Sequence, residues 1–256
     1  MRCVMTNGLY LRADGRLPCY CGAGETVTLG RYVPGQGTDF VEDIFQKGMF
    51  AHIRASQSRD LVPFPGVCDQ CSYLEPDAPF DDEQKLLRWF HWEPTTRCML
   101  GCEWCNGSRG DDIPMFTMDM AMFTGIIDSF ARTGYRLGKG NICGVGEPTI
   151  NNDLWKMVRY AKDKLGGDIL VSTNGNGPYS GELVPSGIDK VKIAIDSTKQ
   201  EQYQRYRQHG SIDKVIEFTR KIAQDKQKRG SQTPKLIWQY IMFDFNDSDQ
   251  ELLDLQ

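Results

Sequence analysis

Two hydrophobic periods alternate along the chain from residue 86 onward. Short apolar runs give way to longer stretches in which apolar residues recur every three to four positions. LLRWFHWEP (86–94) reads as a first strand. DMAMFTGIIDSFART (119–133) reads as a helix, with Met120, Phe123, Ile127 and Phe130 on one face. NICGVGEP (141–148) is a second strand with its turn. DLWKMVRYAKDKLGG (153–167) is a helix that aligns Leu154, Val158, Ala161 and Leu165 and stops at Gly166 and Gly167. DILVSTNGNG (168–177) is a third strand and loop, and KVKIAIDS (190–197) a fourth strand followed by a polar helical stretch. SIDKVIEFTRKIAQDK (211–226) is a helix with Ser211 as its N-cap. KLIWQYIMFDFND (235–247) is a fifth strand, and residues 246 to 251 begin another helix. Strands separated by helices imply a parallel sheet with right-handed crossovers, hence a barrel or an open α/β sheet.

The first 80 residues follow a different rule. GLYLRADGRLPCYC (8–21) alternates around Ala13-Asp14-Gly15 and predicts a β-hairpin. DFVEDIFQKGMFAHIR (39–54) predicts a short helix that shares Phe40, Ile44, Phe45 and Phe50. A Pro-rich loop, LVPFPGVCDQC, then delivers Cys68 and Cys71. EPDAPFDDEQK (75–85) reads as a solvated linker, which places a domain boundary near residue 82. The expected organisation is a small cysteine-rich, hairpin-containing domain over 1–82 and an α/β domain over 83–256.

Composition narrows the class. The chain has 256 residues, 40% hydrophobic and 25% charged, as in an ordinary globular protein. A formal net charge of −4 leaves no basic footprint for nucleic acid. No run of roughly 18 apolar residues suggests a membrane span, and the start, MRCVMTNGLYLRADG, lacks the apolar stretch of a signal peptide. Nine cysteines without a secretion signal point to a reducing cytoplasm, with metal ligands or catalytic thiols rather than disulfides. They form two groups: Cys3, Cys19, Cys21, Cys68 and Cys71, then Cys98, Cys102 and Cys105. Cys143 stands apart and reads as a buried, inert thiol.

The unusual residues of the second part share one rim. The three cysteines follow strand one and Gly146-Glu147-Pro148 ends strand two. Ser172, Thr173 and Asn174 end strand three, and Asp196 ends strand four. In barrels built this way, chemistry gathers at the C-terminal ends of the strands. Gln239 in strand five and His91 in strand one are weaker members of the set, His91 reading first as a packed core histidine. His52 and His209 share no site with it.

EPTTRCMLGCEWCNGS (93–108) spaces its cysteines by three and then two residues. That differs from the ferredoxin run and from the paired layout of structural zinc. Three thiolates hold three irons of a cubane and leave the fourth open.

With Cys98, Cys102, Trp104 and Cys105, this loop resembles the CxxxCxx(aromatic)C-like signature of the radical S-adenosylmethionine (radical SAM) enzymes. GVGEPTIN (144–151) is similar to that family's GGEP segment, with Val145 in place of one glycine. The resemblance covers roughly residues 86–250. It implies a partial (β/α) barrel of five to six parallel strands, here incomplete at the C-terminus. It implies a [4Fe-4S] cluster on Cys98, Cys102 and Cys105, with S-adenosyl-L-methionine chelating the open iron. Trp104, Gly146, Glu147, Pro148, Ser172, Asn174 and Asp196 are the implied cofactor-binding set. The implied reaction is reductive cleavage to a 5′-deoxyadenosyl radical that takes hydrogen from a small molecule, a sugar derivative or a peptide. The electron comes from a donor such as flavodoxin or ferredoxin.

The first cysteine group is similar to the start of a SPASM or twitch module, through its order of cysteine, hairpin glycine, cysteine, helix and CxxC. The resemblance implies one auxiliary iron–sulfur cluster on Cys3, Cys19, Cys68 and Cys71, with Cys21 the alternative to Cys19. Two readings stand beside this one. Four thiolates also suit zinc, and the fold is also compatible with a non-catalytic metal-binding protein or a redox carrier.

Overall fold

A computed structural model describes residues 2–19, 27–71, 74–75, 85–105 and 114–253. The first segment holds β1 (Arg2–Cys3), β2 (Gly8–Leu11), β3 (Arg16–Pro18), β4 (Thr28–Arg31), α1 (Gly48–Gln57) and β5 (Leu74–Glu75). The second holds β6 (Leu86–Trp92), α2 (Met120–Arg132), β7 (Arg136–Ile142), α3 (Leu154–Leu165), β8 (Asp168–Thr173) and β9 (Lys190–Ala194). It continues with α4 (Gln200–Tyr206), α5 (Ile212–Arg229), β10 (Lys235–Gln239) and α6 (Asp249–Leu253).

The expected strand–helix alternation is present. Six strands form one parallel sheet in the order β2-β6-β7-β8-β9-β10. The partial (β/α) barrel is thus a six-stranded parallel sheet with α2, α3 and α5 as crossovers. Along β8 and β9 one set of side chains, Ile169, Val171, Val191 and Ile193, is buried in the apolar core. The alternate positions Asp168, Ser172, Lys190 and Lys192 are half-buried and polar, with Leu170 and Ala194 the apolar exceptions. Ser211 caps α5 as expected, its side chain accepting from the Lys214 N–H.

Two expectations change in the first segment. The predicted hairpin over 8–21 keeps its turn, where Arg12 and Gly15 N–H groups donate to Arg16 and Arg12 carbonyls at 2.9 and 3.0 Å. Gly15 has φ +83°, and a Cβ there would stand 2.2 Å from the Tyr32 carbonyl oxygen. The strands on either side of that turn part company, however. β2 runs parallel to β6, with Leu9 opposite Phe90 and Leu11 opposite Trp92. β3 pairs instead with β4, antiparallel. The reason is burial: all four residues of β2 are buried. A strand that is apolar on both faces belongs inside a layered structure rather than on a two-stranded ribbon.

The predicted helix over 39–54 is broken. Residues 40–45 form a π-helical turn and α1 begins at Gly48, whose φ of +56° interrupts the helical path. The expected aromatic face survives the break. Phe45 lies 5.2 Å from both Phe50 and Phe130, and Phe40 lies 5.5 Å from Phe130, so this segment packs on α2. Asp39 secures the junction by accepting from the Glu42 N–H at 2.9 Å and from the Ser129 hydroxyl at 2.6 Å.

The expected boundary near residue 82 falls in 76–84, outside the described residues. On either side of it, β2 and β6 are hydrogen-bonded neighbours, and one apolar core runs from Cys3 and Leu9 to Phe218 and Ile222. The segment before the boundary is therefore part of the same packed body at β2. Leu11→Ala should then lower global stability by about 2–5 kcal/mol in urea unfolding, as for a fully buried leucine in a main core. A loss under about 0.5 kcal/mol would show that β2 lies outside the cooperative core.

Candidate functional site

The loop after β6 is anchored before it presents its cysteines. Glu93 extends the β2–β6 ladder by donating its N–H to Leu11 at 2.9 Å. The Pro94 carbonyl accepts from the Met118 N–H and the Asn151 side chain, both at 2.9 Å. Thr96 bonds Phe116 and Pro114. From this footing, residues 98–105 turn across the C-terminal ends of β7 and β8.

There they border a cavity of about 170 Å³. Its lining includes Cys98, Cys102, Cys105, Gly146, Glu147, Ser172 and Asn174, so seven of the ten residues expected in the cluster and cofactor set come together. Gln239, the weaker expectation from β10, joins them. Asn174 is buried and aims its amide at the cysteine loop, with Nδ2 3.7 Å from Cys98 Sγ and 3.4 Å from Met99 Sδ. No protein hydrogen bond ties the Ser172 hydroxyl, which leaves it available to a ligand among the described residues.

The remaining three stand elsewhere. Trp104 is 51% exposed; it stacks on Tyr206 and packs at a tilt against Phe243, with ring centroids at 5.7 and 5.3 Å. Pro148 is buried in a one-turn helix over 148–150. Asp196 is buried, and its carboxylate is already committed: Oδ2 accepts from Arg207 Nε at 2.5 Å and Oδ1 from the Ile241 N–H at 2.8 Å. It supports Arg207, which does line the cavity.

Two of the lining residues act differently from expectation. A Cβ on Gly146 would lie 2.2 Å from the Thr95 carbonyl oxygen and 2.7 Å from that of Arg97. The glycine therefore lets the cysteine loop close onto the end of β7. The Glu147 N–H donates to Arg97 at 2.7 Å and reinforces that closure. Its carboxylate faces inward and accepts from Thr149 N–H, Thr149 Oγ1, Thr173 Oγ1 and Asn174 N–H at 2.6–3.1 Å. Burial pushes this carboxyl above its ordinary range, and the four donors oppose the shift.

Arg207 and Cys143 were not anticipated here. Arg207 caps α4 at its C-terminal end and brings NH1 within 3.8 Å of Cys102 Sγ. Nothing in the surrounding YRQHG sequence marks it, because its partner Asp196 comes from the loop after β9. Cys143, read as inert, lines the cavity at the head of GVGEP. His91 is the buried histidine expected in the sheet, but it bonds Cys143. Its Nε2 lies 2.9 Å from the Cys143 carbonyl oxygen and 3.1 Å from the sulfur. Since a carbonyl only accepts, Nε2 carries the hydrogen, and Nδ1 is left to accept from Asn141 Nδ2 at 3.5 Å. Burial lowers the His91 pKa to about 4.

The first cysteine group also assembles. β1 pairs with β5, which sets Cys3 opposite Leu74 and near the CxxC turn. Cys19 follows β3, its N–H bonded to Val27 at 2.8 Å. Burial raises Cys3 to about 11, and the charges of Cys68 and Cys71 add to the shift. Cys19 rises to about 12, chiefly through burial, with Cys3, Cys68 and Cys71 contributing. Cys3 and Cys19 therefore hold their protons more tightly than free thiols, and a bound cation would be needed to favour their thiolates. Cys21 lies outside the described residues.

The donor sets suit iron–sulfur clusters. Thiolates are the soft ligands that such clusters take. Three soft thiols border the cavity beside the Ser172 hydroxyl and the Asn174 amide, as a cluster with one open iron and a polar cofactor require.

Residues 92–255 match the family described as Radical SAM superfamily. The chain is 28% identical over 145 residues to the GTP 3′,8-cyclase of Lactiplantibacillus plantarum, covering 54% of this chain and 42% of that protein. It is 30% identical over 131 residues to the probable GTP 3′,8-cyclase of Methanococcus maripaludis strain C5, covering 50% and 43%. The chain thus spans less than half the length of these curated relatives. Among solved structures, Streptococcus suis SuiB aligns with 80% of this chain and 39% of its own at a TM-score of 0.51 and 13% identity, a likeness of fold.

The His91 arrangement predicts a pH dependence. Its folded pKa lies below the ordinary 6.5, so between about pH 6.5 and 4 the unfolded chain binds the extra proton. Stability from this group is complete above pH 6.5 and falls by about 3 kcal/mol as pH drops through that window. Urea unfolding of wild type and His91→Asn at pH 7.5 and 5 measures it. The variant should lose less stability on acidification, and equal losses would contradict the assignment.

Proposed function

The chain belongs to the radical SAM superfamily, and we propose that it is an enzyme that cleaves S-adenosyl-L-methionine reductively at a [4Fe-4S] cluster on Cys98, Cys102 and Cys105. The observation that carries this reading is the set of three thiols lining one cavity together with Ser172 and Asn174. When bound, the cluster supplies one electron that splits the cofactor into methionine and a 5′-deoxyadenosyl radical, and the radical takes hydrogen from the substrate.

The protein's own part is placement and shielding. Gly146 and Glu147 hold the cysteine loop against the end of β7 through Thr95 and Arg97. Asn174 Nδ2 and the Ser172 hydroxyl offer donors to the cofactor's polar end, and the backbone of residues 144–146 offers acceptors. Trp104, packed against Tyr206 and Phe243, gives an aromatic face for the adenine at the edge of the loop.

Cys3, Cys19, Cys68 and Cys71 hold one auxiliary iron–sulfur cluster on this reading. Full thiolate ligation gives that cluster a role in electron transfer or support. The reductant is a low-potential carrier such as flavodoxin or ferredoxin, which implies a cytoplasmic location. Among the described residues no helix is long and apolar enough to cross a membrane. The substrate class we favour is a small oxidisable molecule or sugar derivative over a peptide. The relatives' name concerns GTP, whose ribose is a sugar derivative of that kind.

Anaerobic reconstitution with iron and sulfide tests the reading. Wild type with a strong reductant should form 5′-deoxyadenosine, and Cys98→Ala, Cys102→Ala or Cys105→Ala should abolish it. Cys68→Ala and Cys71→Ala should retain uncoupled cleavage while losing turnover of the true substrate. A reconstituted wild type that binds zinc but no iron, or that carries clusters without cleaving the cofactor, would sink the proposal.

A further inference from the structure

We propose that Arg207, locked by Asp196, is a positioning residue that sets the reduction potential of the cluster held by Cys98, Cys102 and Cys105. The inference rests on the reading above for the cluster itself and goes beyond it in naming what tunes the electron's entry.

The geometry is specific. Arg207 is largely buried, with its side chain 13% exposed against 1% for Asp196. Nε is spent on Asp196 Oδ2 at 2.5 Å, and NH1 reaches Cys102 Sγ at 3.8 Å. The guanidinium lies 4.7 Å over the Tyr206 ring. Asp196 is itself immobilised by the Ile241 N–H on its carboxylate and by the Asn246 side chain, which donates to its carbonyl at 2.6 Å. The cysteine loop is pinned to the same place, since the Gly101 N–H donates to Gln208 at 3.1 Å. Cation and sulfur are thus held from both sides at a fixed separation.

Charge explains why such a contact matters. A cubane core of charge two-plus with three thiolates carries one net negative charge, and reduction makes it two. A fixed cation beside a ligand sulfur stabilises the reduced form more than the oxidised form, and hydrogen bonds to cluster sulfurs act in the same direction. Burial opposes a charge on Arg207, but Asp196 more than offsets that and keeps the guanidinium protonated. The guanidinium is held within hydrogen-bonding reach of the Cys102 sulfur, and Asp196 acts on the cluster by aiming Arg207.

The test is an EPR-monitored redox titration of the reconstituted full chain without S-adenosylmethionine. The relevant signal is the one that Cys98→Ala removes, which separates it from the auxiliary cluster. Arg207→Met should lower the midpoint potential, and Arg207→Lys should fall between it and wild type. If Arg207→Met fails to load iron because Asp196 is left unpaired, the neutral pair Arg207→Met/Asp196→Asn keeps the test open. A smaller downward shift is expected there. A variant that loads wild-type iron with an unchanged or higher potential overturns the proposal, even if its affinity for the cofactor falls. That pattern would make Arg207 a cofactor ligand instead. Absence of any Cys98-dependent cluster signal in the wild type overturns the reading of the three-cysteine loop and takes this proposal with it.

Discussion

The site hangs on one buried carboxylate. Glu147 is 2% exposed, yet four donors from two loops converge on it. An uncompensated carboxylate at that depth costs several kcal/mol, so the arrangement holds only while those donors stay in place. This makes the contact cooperative. Thr149 follows β7, while Thr173 and Asn174 end β8; the Glu147 N–H binds Arg97 in the loop that follows β6. Three consecutive strand ends are therefore fixed relative to one another by a single residue. The glutamate of the Gly-Glu-Pro turn works as a clamp whose polar surface is consumed by protein. The binding surface is left to its neighbours Ser172 and Asn174.

Such a clamp could not be read in the sequence, although its members could. Gly146, Glu147, Thr173 and Asn174 stand out because small and polar residues interrupt apolar strand runs at the same end of each strand. The period of two in β8 and β9 and the helical period in α2, α3 and α5 are local properties, so the parallel architecture was legible from them. Which face of Glu147 meets which donor depends on strand register and loop closure, and these are tertiary. The same limit hid Arg207. Its role is defined by Asp196, eleven positions earlier in the loop after β9, and by a cysteine more than a hundred positions away. Asp196 follows β9, but its carboxylate turns toward Arg207 and the Ile241 N–H, and the residue is not among those lining the cavity.

The first segment shows how a correct local signal can lead to the wrong pairing. Ala13-Asp14-Gly15 is a genuine turn, and the residues on both sides have strand character. A hairpin would satisfy the backbone there but leave Leu9 and Leu11 without a core. Pairing β2 with β6 buries both and adds a sixth parallel strand. It also fixes the origin of the cysteine-rich segment at the edge of the sheet. Arg12 follows β2 directly and lies 3.7 Å from the buried carboxylate of Glu93. Tyr10 from the same strand reaches the other oxygen of that carboxylate at 3.3 Å. Burial raises the Glu93 carboxyl, and Arg12 opposes the shift. The N-terminal strand thus supplies both a layer of core and the counter-charge for a residue at the foot of the three-cysteine loop.

The two carboxylates, Glu93 and Glu147, bracket that loop at its start and at its landing point. A Cβ on Gly144 would stand 2.3 Å from Glu93, and one on Gly146 would meet the Thr95 carbonyl at 2.2 Å. The alternate glycines of GVGEP therefore serve as two close-packing points between β7 and the loop, one on each side of Val145. Val145 itself donates its N–H to Glu93 at 3.3 Å. Because this contact uses the backbone, it tolerates the valine side chain, which lines the cavity and disturbs neither glycine. The departure from a double-glycine segment then has a physical account. The positions that must lack a Cβ are the two that face the cysteine loop, and both are glycine in this chain.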